Sequence, residues 1–164
     1  MDKLVALNWA MLEYMQGDAR RIQHFTKVHA FARLIGLQEK LPAATLFILE
    51  STALVHDIGI RNAEKKYGMN NGKLQEQEGP AEAEKLLVAL DYKDQEIERI
   101  KYLIAHHHTY GNIVGADYQI LVEADFLVNL YEDTASADTV RITAKKIFRT
   151  NTGKRLLTLM FTSK

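Results

Sequence analysis

The chain contains no cysteine, which excludes disulfide bonds, thiolate metal sites and a cysteine nucleophile. It has only two prolines, Pro42 and Pro80. Each stands where a helix can begin, because the missing N–H group does no harm in the first helical turn. Neither sign of charge is in excess, with 21 basic and 21 acidic residues. This balance argues against a dedicated nucleic-acid or membrane-surface binder, which would carry a basic excess.

Long apolar runs are also missing. No uninterrupted apolar run reaches 18 residues, and no basic-then-apolar leader opens the chain. The 47% hydrophobic and 26% charged content is typical of a soluble globular protein. We therefore expect a cytoplasmic protein that does not associate with a membrane, and the length of 164 residues predicts a single domain over 1–164.

Apolar residues recur mainly at helical spacing, and alternating runs rich in β-branched residues are scarce. The pattern predicts an all-α fold, a single-domain helical bundle. Its longest irregular stretch is predicted at 65–79, KKYGMNNGKLQEQEG, where Gly and Asn mark turns; a loop of that length is often functional. The predicted helices are 3–15, 18–36, 43–57, 80–91, 94–107, 118–132, 137–148 and 152–161.

Strong metal ligands stand at inward-facing positions of three predicted helices. His56 and Asp57 end the apolar run in ALVHDIGI, although a His near a helix C-terminus and a turn-forming Asp are the ordinary interpretation of that pair. His24 lies at one edge of an apolar face. Asp125 lies in the middle of another, where an unpaired carboxylate is so costly that it must be protonated, bound to a cation or paired with Arg or Lys.

A further histidine cluster, AHHHTYGN, ends the predicted helix 94–107. Neighbouring helical residues differ by 100°, so one or two of these three histidines can face the interior; a solvated cluster near the helix C-terminus is the alternative. Imidazole with carboxylate suits a divalent ion such as Mn, Fe, Mg, Co, Ni or Zn. We predict such a site from His24, His56, Asp57 and Asp125, with open positions for water.

The order of these residues resembles the HD superfamily of metal-dependent phosphohydrolases. That family has a first His, here in QHFTKVHAFA, then the pair in ALVHDIG, then a distant Asp, here in ILVEADFLVNL. The resemblance spans about residues 18–132, with the helices over 137–161 expected to pack on that core. It implies a bundle of the HD-domain type, in which His24, His56, Asp57 and Asp125 hold the first metal.

Some members of the family hold a second metal through two further histidines. One lies in an H-x-x-x-G-A pattern; in EQEGPAEAEKLL the resemblance puts Glu76 there, with Pro80 at the glycine. A carboxylate can replace imidazole, so one or two ions are expected. The other histidine comes from I-x-x-H-H, which LIAHHH fits with Ile104 and His107. A register one residue earlier gives His106, which we keep as the alternative.

The resemblance also bears on phosphate binding. Some relatives carry a lysine directly after HDIG, where this chain has Ile60. Arg61, Lys65 and Arg21 stand near the motifs and could supply the positive charge, since guanidinium binds phosphate oxygens bidentately. A solvated charged face is an equally good interpretation of these three residues.

Three functions follow as expectations. The first is a phosphomonoesterase or phosphodiesterase for a small phosphorylated substrate, above all a nucleotide, in which Asp57 is both ligand and proton acceptor and Glu64 is the alternative for orienting water. The second is a non-catalytic metal-containing sensor of a phosphorylated ligand. The third, a purely structural helical protein, requires Asp125 to pair with Arg or Lys. A homodimer is compatible with each of them, and no nucleic-acid polymer is expected as partner.

Overall fold

The structure is a computed structural model that describes residues 1–163. Over that range the chain forms nine α-helices and no β-strand, which confirms the all-α prediction. The helices in chain order are α1 (Lys3–Tyr14), α2 (Ala19–Gln38), α3 (Ala43–Val55), α4 (Gly59–Tyr67), α5 (Gly72–Ala89), α6 (Asp94–His106), α7 (Ala116–Glu132), α8 (Ala137–Lys146) and α9 (Asn151–Phe161).

Side-chain caps explain where several of these helices begin. A side-chain oxygen that accepts a backbone N–H bond from the first turn satisfies a group that the helix itself leaves unpaired. Short polar residues do this at the start of five helices, and these are Asp2, Asp18, Asn71, Ser136 and Thr150.

The helix α3 separates two hydrophobic clusters and carries the candidate site at its end. On one side, Leu49 and Ala53 belong to a core built around α7 and α2. On the other, Leu54 and Val55 belong to a core built from α1, α5 and α6. Since α3 is fixed on both sides, the turn that follows it is held rigidly between the two cores. The helices α8 and α9 pack together, and α9 also lies against α7 and α2.

One stretch, Ala43–Tyr67, is long and apolar enough to cross a membrane by length and composition alone, with a mean hydropathy of 1.4. Its most apolar window is 61% buried inside the fold. The core helix of a soluble protein has the same properties, so this stretch is compatible with the soluble character expected from the sequence.

The predicted long loop over 65–79 is wrong. Residues 59–67 form α4, which the sequence interpretation missed, and α5 begins at Gly72. Only 68–71 connect the two helices. Gly68 ends α4 with a left-handed φ of 67°, and Asn71 caps α5. The Gly and Asn residues that indicated a loop therefore mark the adjoining ends of two helices.

The prediction that a helix begins at Pro80 is also wrong, because Pro80 lies inside α5. A proline inside a helix loses one hydrogen bond and strains the preceding turn. Tertiary packing outweighs this cost here. A Cβ on Gly79 would stand 2.5 Å from the side chain of Ile104, and a Cβ on Gly59 would stand 2.6 Å from the nitrogen of Gly79. The α5 backbone is thus held close to both α4 and α6 at that proline.

Candidate metal centre

Four side chains from α2, α7 and the turn after α3 meet in one place. The Nε2 atom of His24 lies 3.2 Å from Asp57 Oδ2, 3.2 Å from Asp125 Oδ1 and 3.3 Å from His56 Nε2. The Nε2 atom of His56 lies 3.4 Å from Asp57 Oδ2 and 3.5 Å from Asp125 Oδ1. The four residues that the sequence interpretation assigned to the first metal are therefore neighbours in the structure.

These separations fit the ligands of one metal ion. Ligand atoms about 2.1 Å from an ion lie roughly 3.0 Å apart at octahedral angles and roughly 3.4 Å apart at tetrahedral angles. Ligand atoms of His24, His56 and Asp57 all lie within 4.8 Å of one another. Asp125 joins this group through its contacts with both imidazoles.

Backbone hydrogen bonds orient two of the imidazoles. His56 Nδ1 lies 2.8 Å from the carbonyl oxygen of Ala53, and His107 Nδ1 lies 2.6 Å from that of Ile104. A carbonyl only accepts, so each Nδ1 carries the proton and each Nε2 carries a lone pair. That is the tautomer in which a histidine binds a metal through Nε2.

A carboxylate orients the third imidazole. Both oxygens of Glu132 lie 3.3 Å from Nδ1 of His24, and Lys27 pairs with Glu132 at 3.0 Å. The sequence interpretation missed Glu132, although it stands seven residues after Asp125 and so two turns further along the same face of α7. A carboxylate that accepts the Nδ1 proton of a metal-binding histidine raises the basicity of its Nε2 atom.

Two buried atoms at the site have no hydrogen-bond partner among the described residues, Asp125 Oδ1 and His107 Nε2. Such atoms are rare in proteins and costly. Asp125 Oδ1 faces the Nε2 lone pairs of His24 and His56, so a cation or a proton must lie between them. The chemistry of these donors, imidazole nitrogen with carboxylate oxygen, fits a divalent ion.

The electrostatics of the group indicate the same requirement for positive charge. Burial disfavours the charged form of His56, but Asp57 and Asp125 outweigh it and raise the pKa of His56 well above its ordinary value. The pKa of His24 is also raised, because the same two carboxylates outweigh burial. Burial opposes ionisation of Asp57 too, but His56 and His107 outweigh it and hold the pKa of Asp57 well below its ordinary value. Without an ion, protons thus take the place of the metal.

The three consecutive histidines point in different directions. His107 is buried, and its Nε2 atom lies 3.4 Å from Asp57 Oδ1. His106 turns away: its Nδ1 atom lies 2.7 Å from the carbonyl oxygen of Tyr102, and its ring stacks on that of Tyr102 at 4.2 Å. His108 groups with Asp57 and His107 at a distance compatible with metal binding. Burial and neighbouring His107 lower the pKa of His108 to about 4.

The structure does not bring Glu76 to this group. Its carboxylate accepts a bond of 3.0 Å from the backbone N–H of His108 and one of 2.8 Å from the hydroxyl of Thr109, tying α5 to the turn after α6. Gln75 faces the site instead, and its Oε1 atom lies 2.6 Å from His108 Nε2. Gln75 stands four residues before Gly79, which is the H-x-x-x-G spacing. The pattern thus also fits one residue earlier, and Gln75 is the residue of the two that lines the cavity.

Two of the expected phosphate-binding cations lie elsewhere. The guanidinium of Arg61 donates to the carbonyl oxygens of Tyr14 and Gln16, beside the end of α1. Lys65 lines a separate surface pocket with Asn62 on α4. Both residues follow HDIG in sequence, but α4 turns their side chains away from the candidate metal ligands, and a helical segment there was not expected.

The third expected cation, Arg21, lies at the site but is already paired. It bonds to Asp18 at 3.0 Å and to both oxygens of Glu64. Glu64, the alternative for orienting water, accepts a further bond of 2.8 Å from Asn70. Its carboxylate is thus occupied by Arg21 and Asn70, which makes it a structural partner of Arg21.

Three of the four candidate metal ligands, His24, Asp57 and Asp125, line the floor of a cavity of about 520 Å³, and His56 is fully buried. That volume lies within the range of small-molecule sites. Most of the lining side chains are polar or charged. They are Asp18, Arg20, Arg21, His24, Asp57, Ile60, Asn70, Gln75, His108, Asp125, Asn129 and Glu132.

Comparisons with models of protein families, with curated proteins and with solved structures find no match to this chain. What can be inferred about function therefore rests on the residues of the cavity and its floor.

Proposed function

We propose that this protein is a metal-dependent phosphohydrolase of the HD type that acts on a small phosphorylated molecule. One observation carries the proposal: His24, His56, Asp57 and Asp125 meet with separations of 3.2–3.5 Å, and all of them except His56 line a polar cavity. Two of the atoms there are buried and unpartnered. The order of the ligands along the chain, His, then His-Asp, then Asp, is the order that the HD resemblance requires.

The residues divide the chemical work in a simple way. A divalent ion bound at the floor would polarise a phosphoryl oxygen and lower the pKa of water. His24 and His56 would hold it through lone pairs that their Nδ1 partners orient. The Asp57 carboxylate lies between His24 and His107: its Oδ2 atom faces His24, and its Oδ1 atom faces His107. The carboxylate is thus placed to take a proton from an attacking water.

A non-catalytic sensor of a phosphorylated ligand is the second candidate. Two features favour it: Gln75 stands where members with two metals carry a histidine, and Ile60 stands where some relatives carry a lysine. A chain of this kind would bind a metal and a phosphorylated ligand and release no product.

Metal content and turnover separate the candidates. We would remove metal with a chelator, restore Mn²⁺ or Fe²⁺, and measure phosphate release from a panel of phosphomonoesters and phosphodiesters. Turnover that requires the metal supports the hydrolase. Metal and ligand binding without any turnover would identify the sensor, and failure to bind metal would overturn both.

The Asp57→Asn variant tests the mechanism. It removes a metal ligand and the proton acceptor, so we expect turnover to fall by about 10²–10⁴-fold with the fold retained. Asp138→Asn is a matched control, because Asp138 is exposed on α8 and pairs only with Arg141 among the described residues. A rate near that of the unmodified protein for Asp57→Asn at saturating metal would rule out this mechanism.

A further inference from the structure

One wall of the cavity is closed by its own hydrogen bonds. His108 Nε2 donates to Gln75 Oε1 at 2.6 Å, Gln75 Nε2 donates to Asn70 Oδ1 at 3.1 Å, and Asn70 Nδ2 donates to Glu64 Oε1 at 2.8 Å. Arg21 completes the chain by pairing with Glu64. Because each group already has a partner, this wall shapes the cavity but leaves few polar atoms for a ligand.

Two other lining residues have free side chains. Over residues 1–163, neither Arg20 nor Asn129 makes a side-chain hydrogen bond or ion pair, and both line the cavity. Arg20 stands four residues before His24 on α2, and Asn129 stands four residues after Asp125 on α7. Residues four apart share a helix face, so each free group lies one turn from a metal ligand.

The cavity offers little for a flat aromatic ligand. Of the side chains that line it in the described chain, none is Phe, Tyr or Trp, and Ile60 is the one aliphatic residue. Tyr110 bonds to the ring of His108 but packs its own ring against Phe126, with centroids 5.2 Å apart. Proteins hold nucleobases by stacking them on aromatic or apolar faces. Apart from Ile60 and the imidazoles of His24 and His108, which are held by Glu132 and Gln75, this lining supplies no such face.

We infer that the substrate is a small phosphorylated sugar or polyol rather than a nucleotide, and that Arg20 and Asn129 recognise it. The inference rests on the proposed function and narrows its substrate class. A guanidinium presents N–H groups in a fork that matches phosphate oxygens. A carboxamide offers both a donor and an acceptor, which suits hydroxyl groups.

The reaction is a hydrolysis that needs no further reactant. The bond between phosphorus and the ester oxygen breaks as the oxygen of water bonds to phosphorus. One proton of the water passes to the sugar oxygen, so the products are the free sugar and inorganic phosphate.

Ribose 5-phosphate and adenosine 5′-monophosphate form a matched pair of probes, because they share the ribose and the phosphoester and differ in the base. With the Mn²⁺-loaded full chain we expect kcat/KM for ribose 5-phosphate to exceed that for the nucleotide by about 10-fold or more. The polar groups of the base would lose water against a wall whose polar atoms are already paired, and stacking would not compensate for that loss. An equal or higher kcat/KM for the nucleotide would overturn the inference.

Variants of the two free residues test their role. We expect Arg20→Gln to raise KM for ribose 5-phosphate by about 10–100-fold and Asn129→Leu by about 3–10-fold, the effects of losing a charge-assisted and a neutral hydrogen bond. In both, kcat should change little. Arg155→Gln and Asn151→Leu are matched controls on α9, outside the cavity lining, and should leave KM unchanged. Unchanged KM in both cavity variants would overturn their assignment.

Binding measurements keep this inference separate from the hydrolase proposal. Calorimetric titration of the Mn²⁺-loaded protein with each probe gives the preference even if no phosphate is released. Tight binding of ribose 5-phosphate without turnover would overturn the hydrolase proposal and retain the ligand class. Tighter binding of the nucleotide, or binding of neither probe, would overturn the ligand class.

Discussion

Glu123 and Asp125 stand two residues apart on α7, and both are buried, yet their surroundings differ. Glu123 accepts from the backbone N–H groups of Arg149 and Thr150 at 2.6 and 2.9 Å, from the Thr150 hydroxyl, and from Gln119 Nε2 at 2.8 Å. Asp125 keeps one oxygen, Oδ1, with no hydrogen-bond partner among the described residues. The fold supplies hydrogen-bond donors to the Glu123 carboxylate. Within residues 1–163 it supplies none to Oδ1 of Asp125, which leaves that atom free for a partner from outside the chain.

This difference separates structural from functional burial of the same chemical group. Glu123 receives donors from the start of α9 and so fastens that helix to α7. Asp125 faces the lone pairs of His24 and His56, which are acceptors like itself. A fold gains stability by bringing such groups together only when a proton or a metal ion lies between them, so their convergence fits a site for a cation.

Removing the satisfied carboxylate should have the largest effect on stability. Glu123→Ala leaves the N–H groups of Arg149 and Thr150 buried without an acceptor, and we expect a loss of about 3–5 kcal/mol in the free energy of unfolding. Chemical denaturation of the metal-free protein measures this.

The matched variant Glu123→Gln keeps one acceptor oxygen and should lose less stability. Metal affinity of both Glu123 variants should remain unchanged while they are folded. A Glu123→Ala protein as stable as the unmodified chain would show that these hydrogen bonds contribute nothing net.

Removing the unsatisfied carboxylate should affect metal binding instead. Asp125→Asn takes away a charged ligand, and we expect metal affinity to fall by more than the roughly 10–100-fold that loss of a ligand's hydrogen-bonding partner costs. At about pH 8.5, where His24 and His56 should be deprotonated without metal, the metal-free variant should unfold within about 1 kcal/mol of the unmodified protein, since Asn retains the shape. Competition with a chromophoric chelator measures the affinity. Unchanged affinity would remove Asp125 from the site.

Glu132 provides a smaller test of the same site. Glu132→Leu removes the partner of His24 Nδ1, and we expect metal affinity to fall by about 10–100-fold. Glu132→Gln keeps an acceptor for that N–H group and should recover much of the loss. A purely structural role for Glu132 predicts equal metal affinity in both variants, measured on folded protein.

Sequence patterns predict the positions of His24 and Asp125 because helical periodicity alone puts a polar group on an apolar face. They fail where contacts between helices, rather than local sequence, determine the secondary structure. The close approach of Gly59 and Gly79 holds α4 and α5 together across Pro80, and no local signal predicts that contact.

The errors at the cavity have related causes. Arg61 and Lys65 point away because they lie on α4, a helix that was not predicted from the sequence. Glu76 was assigned by placing Pro80 at the glycine of the H-x-x-x-G-A pattern, but the structure turns the neighbouring Gln75 toward the site. A one-residue shift along a helix rotates a side chain by 100°, so chemical type is a poor guide where the register is uncertain.

The smallest expected effect is a pH dependence that distinguishes the metal-free from the metal-loaded protein. Asp57 and Asp125 outweigh burial and raise the pKa of His24 and His56, while the histidines outweigh burial and lower the pKa of both carboxyl groups. The two histidines stabilise the folded protein because their pKa is raised there. This stabilisation is complete below their pKa in the unfolded chain, about 6.5, and is lost as the pH rises through their pKa in the folded protein. The two carboxyl groups stabilise the folded protein because their pKa is lowered there. This stabilisation is complete above their pKa in the unfolded chain, about 3.9, and is lost as the pH falls through their pKa in the folded protein.

The metal-free protein should therefore be most stable between about pH 4 and 6.5, and its Tm should fall by a few degrees as the pH rises to about 8.5. Metal binds the deprotonated imidazoles and releases their protons, so metal affinity should instead increase over that range. In calorimetric scans, the Tm with chelator and the Tm with Mn²⁺ should diverge as the pH rises. Asp125→Asn should reduce this divergence, because it weakens the binding of both protons and metal at the site. If the Tm changes with pH in the same way with and without metal, His24 and His56 bind neither the protons nor the metal ion. The unpartnered oxygen of Asp125 would then have another explanation.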